Sequence, residues 1–323
     1  MTRDGDEQGG HSRPEGPAPY RAGFAVLAGQ PNVGKSTLLN ALLGEKVAIV
    51  SRKPQTTRTR ILGVYQAEGL QIAFLDTPGI HSPRGGSRLN EEMVAVALAT
   101  IEEVDACVLV IDVKRALHGE GARVSPGDRD VVSRLKRARR PTALVINKID
   151  EVPRDRVLHV IDAYRKLHDF EVIYPLSALT GEGIQGLPAA LAPLLPESEP
   201  LFPADVLTDQ AERILAAEYV REQVLNFTHA EVPYGVAVEV RQFDESERES
   251  RGEGLIRVHA DIIVERPSHK GIVIGQRGAM LRRIGTAARK NLERLLGARV
   301  WLGLHVRVEK DWTKRPGGLR RFS

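Results

Sequence analysis

Short apolar runs alternate with longer helix-like segments from residue 24 to about residue 195. The clearest runs are residues 24–28, 71–75, 106–113, 141–146 and 171–176. Parallel strands that are buried on both faces read as nearly continuous apolar runs, and crossover helices connect them. The first part of the chain is therefore predicted to be an α/β domain with a mostly parallel sheet flanked by helices.

The pattern changes after residues 193–203, where a proline at every few positions prevents a helix from continuing. Apolar residues then recur at helical spacing over 205–229, and two strand-like runs follow at 236–243 and 255–265. We interpret the charged segment between these runs, 244–254, as a solvated loop. The second part of the chain thus begins with a helix and a pair of strands.

A Gly-x-x-Gly loop at residues 275–278 precedes a long amphipathic helix, predicted over 279–296, and an alternating run at 299–309. The resulting order, helix, strand, strand, helix, loop, helix, strand, is that of an α+β type II KH domain. Such domains clamp about four nucleotides of single-stranded RNA with the glycine loop against the backbone. The alternative interpretation is a tight turn between helices in a domain that binds no RNA.

The charge distribution favours RNA binding by this second domain. Residues 266–323 hold 15 lysines and arginines against 3 aspartates and glutamates, a local net charge of +12, while the rest of the chain carries −8. A basic block beside an acidic remainder indicates that one domain meets a polyanion. The predicted RNA contacts are Lys270, Gly271, Gly275, Gln276, Arg277, Gly278, Arg282 and Arg283.

The length of 323 residues and 42% hydrophobic content predict two domains that each bury a core. The predicted order is a disordered tail at 1–21, the α/β domain at 22–195, a linker at 196–204, the KH domain at 205–315 and a basic tail at 316–323. The single cysteine, Cys107, excludes disulfides within the chain and cysteine zinc sites. No apolar run approaches the ~18 residues that span a bilayer, so a soluble protein is predicted.

A glycine-rich loop connects the first apolar run to a helix-like segment. Its pattern is G-x-x-x-x-G-K-[ST], and the loop with its following residue reads Gly29, Gln30, Pro31, Asn32, Val33, Gly34, Lys35, Ser36 and Thr37. Such a loop turns successive backbone N–H groups towards phosphate, and the helix that follows adds its positive dipole end. Lys35 is expected to reach the β- and γ-phosphates and Ser36 to bind Mg²⁺. A glycine turn with a solvated lysine is the alternative.

Three other polar motifs follow apolar runs. The motifs are Asp76-Thr77-Pro78-Gly79, then Asn147-Lys148 with Asp150, and finally Ser177-Ala178-Leu179. Because ligands bind at the carboxyl ends of parallel strands, these motifs and the phosphate loop are predicted to meet at one edge of the sheet. Asp76 can hold Mg²⁺ through water, and the Gly79 amide can approach a γ-phosphate because no side chain obstructs it.

The remaining motifs predict recognition of guanine. The Asp150 carboxylate matches the two adjacent donors of guanine, N1–H and N2–H₂, and adenine has no such pair. Asn147 can brace this loop and the base, the Lys148 stem can cover one face of the base, and the Ala178 amide can donate to guanine O6. The predicted ligand is therefore a guanine nucleotide.

Taken in this order, the motifs resemble those of the Era family of bacterial GTPases, and the resemblance covers nearly all of residues 22–315. It implies hydrolysis of GTP to GDP and phosphate, with Mg²⁺ as the cofactor. It also implies that residues 54–58 are the first switch, in which a threonine joins the Mg²⁺ shell when GTP is bound. We favour Thr57 over Thr56 for this role. The catalytic residues implied are Lys35, Thr57, Asp76 and Gly79.

The residue after Gly79 is Ile80, at the position where Ras-type GTPases carry the glutamine that orients the attacking water. An aliphatic side chain cannot orient water, so slow intrinsic hydrolysis is predicted. A resemblance to potassium-stimulated GTPases implies that the Asn32 amide oxygen helps to hold K⁺ beside the phosphates. The alternative is that Asn32 only makes hydrogen bonds within the loop.

The family resemblance also implies partners and a location. It implies binding to the 3′ end of the small-subunit ribosomal RNA and a role in assembling the 30S-type subunit. It further implies a cytoplasmic monomer with weak peripheral contact to the membrane. The competing hypothesis is an RNA-binding module in which GTP is a static structural ligand and turnover is incidental.

Overall fold

A computed structural model describes residues 19–53, 55–80, 88–248, 254–315 and 317. Residues 1–18 of the predicted tail, residue 54 of the predicted switch, residues 249–253 of the predicted loop 244–254 and nearly all of the basic tail lie outside these residues. Within the described ranges, no helix is long and apolar enough to cross a membrane.

The first part of the described chain alternates strands and helices. Its strands are β1 Arg21–Ala28, β2 Ile61–Ala67, β3 Leu70–Asp76, β4 Ala106–Asp112, β5 Leu117–His118, β6 Gly121–Ala122, β7 Thr142–Asn147 and β8 Val172–Pro175. Its helices are α1 Lys35–Leu43, α2 Arg88–Glu103, α3 Val113–Ala116, α4 Pro126–Ala138, α5 Arg154–Arg165 and α6 Leu187–Leu191. The five strands predicted from the apolar runs are all present, with ends shifted by up to three residues.

Within the described residues, six of these strands form one sheet in the order β2-β3-β1-β4-β7-β8. All neighbours are parallel except β2 and β3, which form an antiparallel hairpin. Apolar side chains from both faces of the sheet pack under helices in two cores. The predicted α/β fold with a mostly parallel sheet is confirmed.

Two features of this sheet differ from the sequence-based expectation. Strand β2 was not predicted, because an edge strand joined by a tight hairpin does not follow the strand–helix alternation. Strand β1 begins at Arg21, inside the predicted disordered tail, because the Arg21 N–H donates to Gly69 O and the residue pairs with Leu70.

The second part of the described chain contains the elements predicted for a KH domain. In chain order these are α7 Glu212–Phe227, β9 Val236–Glu247, β10 Leu255–Val264, α8 Pro267–Ile274, α9 Ala279–Leu296 and β11 Arg299–Val308. The sheet order is β11-β10-β9, with β10 parallel to β11 and antiparallel to β9. The predicted element order of a type II KH domain is confirmed.

Two boundaries in this part were wrong. The helix predicted over 205–229 begins only at Glu212. The residues before it bind the first domain instead: the Val64 N–H donates to Leu207 O at 2.8 Å and Thr208 Oγ1 donates to Leu62 O at 2.7 Å. Strand β9 extends to Glu247, into the predicted loop, because its last residues pair with the start of β10.

Candidate nucleotide and RNA sites

The phosphate loop follows β1 and depends on two glycines. Gly29 has φ +150°, and an added Cβ would lie 2.3 Å from Val110 O. Gly34 has φ +101°, and an added Cβ would lie 2.3 Å from Asn147 Nδ2. Any side chain at either position would clash with β4 or β7, so the close approach of the loop to both strands requires glycine.

The lysine of the loop is buried at the start of α1. Lys35 Nζ donates to Gly29 O at 3.3 Å and to Gln30 O at 3.2 Å, so it closes the loop on itself. Burial lowers the pKa of Lys35, and the negative charge of Asp76 partly opposes this shift. An anion bound in the loop would favour the charged ammonium.

The loop is also anchored from α4, by a network that the sequence reasoning did not find. Gln30 Nε2 donates to Ser125 Oγ at 2.8 Å and to Asp128 Oδ1 at 2.9 Å. The buried Tyr164 hydroxyl donates to the other oxygen of Asp128 at 2.7 Å. Gln30 is therefore held by its side chain while its carbonyl oxygen accepts from Lys35.

Three oxygen-bearing side chains meet beside the phosphate loop. Ser36 Oγ lies 2.9 Å from Thr57 Oγ1 and donates to Asp76 Oδ2 at 2.5 Å, and Thr57 Oγ1 donates to the same carboxylate oxygen at 3.3 Å. Thr56 points elsewhere, since its hydroxyl donates to Lys53 O at 2.7 Å. Of the two candidate threonines, the structure brings Thr57 to Ser36 and Asp76.

The chemistry of this cluster fits a hard divalent cation. Asp76 is fully buried, and its Oδ1 atom has no hydrogen-bond partner among the described residues. Burial raises the pKa of Asp76, while the charge of Lys35 and the bonds from Ser36 and Thr57 act in the opposite direction. Mg²⁺ prefers carboxylate and hydroxyl oxygens, and its charge would compensate the buried carboxylate.

The loop after β3 approaches the phosphate loop closely. An added Cβ on Gly79 would lie 2.6 Å from the backbone nitrogen of Pro31. Thr77 Oγ1 donates to Leu27 O at 3.0 Å, which holds this loop to β1, and Pro78 is buried beside it. The Ile80 side chain is completely buried in the core, so it does not reach the site.

The predicted base-recognition residues converge around Asn147. Asn147 Nδ2 donates to Val33 O at 2.9 Å, and its Oδ1 accepts from the backbone N–H groups of Lys148 and Ala178. The Ala178 amide, which was expected to donate to guanine O6, thus donates to Asn147 at 3.0 Å in this structure. Ser177 is buried and its hydroxyl accepts from Thr180 N.

Lys148 is positioned by a carboxylate that the sequence reasoning missed. Lys148 Nζ donates to Asp112 Oδ2 at 2.6 Å and to Asn32 O at 3.0 Å. Asp112 ends β4 at the same edge of the sheet, so the rule that identified Asp76 could also have identified it. Asp150 is exposed in a one-turn helix beside Lys148, and Leu179 is 79% exposed.

The Asn32 side chain connects the phosphate loop to the segment before the predicted switch. Asn32 has a left-handed backbone with φ 64°, and its Nδ2 donates to Arg52 O at 3.0 Å. The amide nitrogen donates this bond, so the amide oxygen, which is the atom of the group that can bind a cation, is not used in it.

The Gly-x-x-Gly loop lies between α8 and α9 on the second domain. Gly275, Arg277 and Gly278 all have positive φ angles, of 69°, 50° and 76°. An added Cβ on Gly275 would lie 2.7 Å from the Met280 Cβ, so the turn requires glycine there. The Gln276 and Arg277 side chains are exposed at its tip.

The other predicted RNA contacts surround this turn. Arg282 is exposed, and the Arg283 guanidinium lies 4.1 Å from the centre of the Phe227 ring, which makes a cation–π contact with α7. Lys270 is half-buried and Gly271 is exposed on α8. The structure therefore places all eight predicted RNA contacts on α8, the loop and the first turns of α9.

Comparison with known proteins identifies both domains. A family model described as a 50S ribosome-binding GTPase matches residues 24–148, and a KH domain model matches residues 231–313. The chain is 47% identical to the GTPase Era of Syntrophus aciditrophicus over 303 residues, which cover 94% of this chain and 95% of that relative. It is 48% identical to the GTPase Era of Geobacter metallireducens over 298 residues, covering 92% and 95%.

Two solved structures resemble the chain along both domains. One is Era in complex with MgGDPNP and nucleotides 1506–1542 of 16S ribosomal RNA, with a TM-score of 0.86, 41% identity and coverage of 94% of this chain and 98% of that chain. The other is a variant of Aquifex aeolicus Era bound to GDP·AlF4⁻, with the same TM-score and identity and coverage of 94% and 99%. Similarity of this level and extent shows that the chain belongs to the Era family of GTPases.

Proposed function

We propose that this protein binds and hydrolyses GTP at the edge of its first sheet and binds single-stranded small-subunit ribosomal RNA through its Gly-x-x-Gly loop. The observation that carries this proposal is the presence of both sites in one chain. The relative that is similar along both domains holds MgGDPNP and the 16S segment 1506–1542. The GTPase family model mentions the 50S subunit, but it matches only residues 24–148.

At the phosphate end, we assign Lys35 to the β- and γ-phosphates and the Gly79 amide to the γ-phosphate. Ser36 and Thr57 would hold Mg²⁺, with Asp76 bound to it through water. When bound, Mg²⁺ neutralises charge that develops on the phosphate oxygens. The Lys35 ammonium is already buried beside these groups, so it would contribute a second positive charge in a site that is sheltered from water.

At the base end, Asp150 would accept from guanine N1–H and N2–H₂. Asn147 supports this loop, because its side chain is hydrogen-bonded to Val33 of the phosphate loop and to Ala178 of the Ser177-Ala178-Leu179 motif. The Lys148 stem would cover one face of the base while its ammonium stays bound to Asp112. The four motifs would thus enclose one GTP or GDP molecule.

Hydrolysis would be slow without stimulation. The buried Ile80 cannot orient a water molecule, and K⁺ held partly by the Asn32 amide oxygen would supply additional positive charge at the phosphates. The bond from Asn32 Nδ2 to Arg52 supports this orientation of the amide.

The proposal includes a biological setting that the family resemblance supports. The protein would act as a monomer in assembly of the 30S-type subunit, in the cytoplasm and with weak peripheral contact to the membrane. Its GTPase domain would comprise residues 22–195 and its KH domain residues 205–315, joined by the linker 196–204.

The test compares binding of an oligonucleotide from the 3′ end of 16S rRNA with the protein in its GTP, GDP and nucleotide-free states, together with phosphate release. A nucleotide-responsive affinity and measurable Mg²⁺-dependent release would support the proposed switch. Equal affinities in the three states, with negligible release, would support a static structural role for GTP instead. Failure to bind the oligonucleotide would contradict the proposed RNA target.

A further inference from the structure

The residues on both sides of Thr57 are bound by the second domain. Arg58, 7% exposed, donates from Nη1 to Val236 O at 2.7 Å and from Nη2 to Tyr234 O at 3.0 Å. Arg221, 2% exposed on α7, donates from Nη2 to Thr56 O at 2.5 Å. We call Arg58 and Arg221 the arginine clamp.

The two halves of the clamp cross the domain boundary in opposite directions. Arg58 extends from the first domain to the backbone that leads into β9, whereas Arg221 extends from the second domain to the backbone of the predicted switch. Consecutive Cα atoms are only about 3.8 Å apart, so fixing residues 56 and 58 leaves the backbone of Thr57 little freedom. The Thr57 hydroxyl between them faces Ser36 and Asp76.

The surroundings of the clamp favour a rigid arrangement. Glu218 accepts from Arg221 Nε at 2.7 Å and also from its Nη2, which orients the guanidinium towards Thr56. The Arg58 guanidinium lies 5.6 Å from the centre of the Trp312 ring, and Trp312 Nε1 donates to Gly235 O at 3.1 Å. Trp312 therefore contacts Arg58 and also binds the backbone at the start of β9, where two carbonyl oxygens accept from Arg58.

The donors of the clamp are guanidinium groups, which carry a positive charge. Hydrogen bonds from charged donors are stronger than those between neutral groups, and a buried one is costly to break. The contacts of the clamp are thus strong enough to set the position of a short loop.

We propose that Arg58 and Arg221 are positioning residues for the magnesium site, through which the KH domain holds Thr57 against Ser36 and Asp76. This inference rests on the proposed function, because it assigns Thr57 to Mg²⁺ in the GTP state. It makes the GTPase site incomplete without the second domain. The phosphate loop and the guanine residues are formed by the first domain alone, so the clamp should affect GTP hydrolysis and its Mg²⁺ requirement but not GDP binding.

The experiment measures GTP hydrolysis by the full chain as a function of Mg²⁺ concentration, with GDP affinity measured in parallel. Thr57→Ala is the reference variant, and Arg58→Ala and Arg221→Ala test the clamp. Losing one charged, buried hydrogen bond should raise the half-saturating Mg²⁺ concentration about tenfold, with GDP affinity changed less than about twofold. Arg58→Lys keeps the charge and one of two bonds, so it should restore part of the loss.

Arg213→Ala is the matched control. Arg213 lies on the same helix, α7, but its Nη2 donates to Val240 O within the second domain, so its loss removes an arginine without releasing the switch. This variant should keep the Mg²⁺ dependence of the unmodified protein. A melting curve for each variant separates loss of the clamp from loss of folding, and Glu218→Gln, which weakens the orientation of Arg221, replaces any alanine variant that fails to fold.

The outcomes distinguish the proposed magnesium role of Thr57 from the positioning role of the clamp. If Thr57→Ala leaves the Mg²⁺ dependence unchanged, the proposed magnesium role of Thr57 is wrong. If Thr57→Ala shifts it but the folded clamp variants behave like Arg213→Ala, the proposed function stands and the clamp is only structural. A shift shared by Thr57→Ala and the clamp variants, with unchanged GDP affinity, supports the inference.

Discussion

The nucleotide site and the Gly-x-x-Gly loop, called the RNA loop below, differ in how far their polar residues are buried. In the nucleotide site most of the polar residues are buried and bound to one another, as Asp76 and Asn147 illustrate, and Asp150 is the exposed member of the set. In the RNA loop the glycines set a left-handed turn, and Gln276 and Arg277 are exposed to solvent. A site for a small nucleotide is preorganised by contacts inside the protein, whereas a loop for an RNA backbone presents charge and backbone to a partner that arrives from solution.

This difference predicts how each site responds to mutation. A substitution in the buried site leaves its former partners unsatisfied, so it should alter selectivity or affinity sharply and depend little on salt. A substitution in the exposed loop should leave folding intact and act through electrostatics that salt screens. The following experiments test the comparison from the largest expected effect to the smallest.

The largest effect is expected at Asp150. In Asp150→Asn the amide can donate to the 2-oxo group of xanthine, which replaces the guanine amine, while Asn147 and Lys148 are unchanged. The preference for GTP over xanthosine triphosphate should change by about 10³-fold, because a site that hydrogen-bonds its ligand rejects a mismatched analogue strongly. Competition binding with both nucleotides measures this ratio. An unchanged ratio would remove Asp150 from base recognition.

A large effect on RNA is expected when Gln276 and Arg277 are both replaced by Asp. The glycines and the apolar face of α9 are untouched, so folding and GTP hydrolysis should be near normal. RNA affinity should fall about 100-fold, and the salt dependence of any residual binding should decrease by about 0.7 log units per log of salt for each lost phosphate contact.

The control for this variant reverses more charge farther from the loop. Arg289→Asp with Lys290→Asp changes two exposed residues of α9, about 16 Å along the helix from Gly278. If the loop contacts RNA directly, this pair should weaken binding much less than the loop pair. Full RNA affinity in a loop variant with a normal melting curve would show that the loop is structural.

A moderate effect is expected at Asp112, which tests whether buried support residues matter as much as the motif they support. Asp112→Asn removes the charge that holds Lys148 Nζ. GTP and GDP affinities should both fall about tenfold, since one charged, buried hydrogen bond is weakened. Isothermal titration with each nucleotide measures the change. A loss confined to GTP would place the effect at the phosphates and contradict this role.

The smallest effect concerns Asn32. If its amide oxygen helps to hold K⁺, the unmodified protein should hydrolyse GTP several-fold faster in K⁺ than in Na⁺, through added charge stabilisation at the phosphates. Asn32→Ala should abolish that difference while GTP still binds. Equal rates in the two salts for the unmodified protein would contradict a potassium site.

Local sequence patterns were sufficient for both glycine loops and for the ends of the sheet strands. Gly29, Gly34 and Lys35 stand at the spacing of a phosphate-binding loop, and Gly275 and Gly278 mark a turn between two predicted helices. The strand ends could be placed together because parallel strands share one carboxyl edge. The sheet register confirms this placement, since Asp112 pairs with Asn147 and Leu27 with Asp76.

Features that depend on distant partners were not predictable in this way. The edge strand β2 and the late start of α7 depend on pairing with other segments. The hydrogen bonds from Gln30 to Asp128 and from Lys148 to Asp112 join separate elements. No periodicity or motif encodes such pairs, because each residue taken alone reads as an ordinary polar position.

The arginine clamp is the clearest example of contacts that the sequence could not predict. The sequence by itself showed a basic, threonine-containing segment at residues 54–58 and a helical pattern at the start of the second domain. Only the tertiary structure decided that Arg58 and Arg221 meet the backbone of the opposite domain, 178 and 165 positions away along the chain. The physical reason is that a guanidinium can bind any carbonyl oxygen, so its partner is chosen by the packing of the two domains and not by its neighbours in sequence.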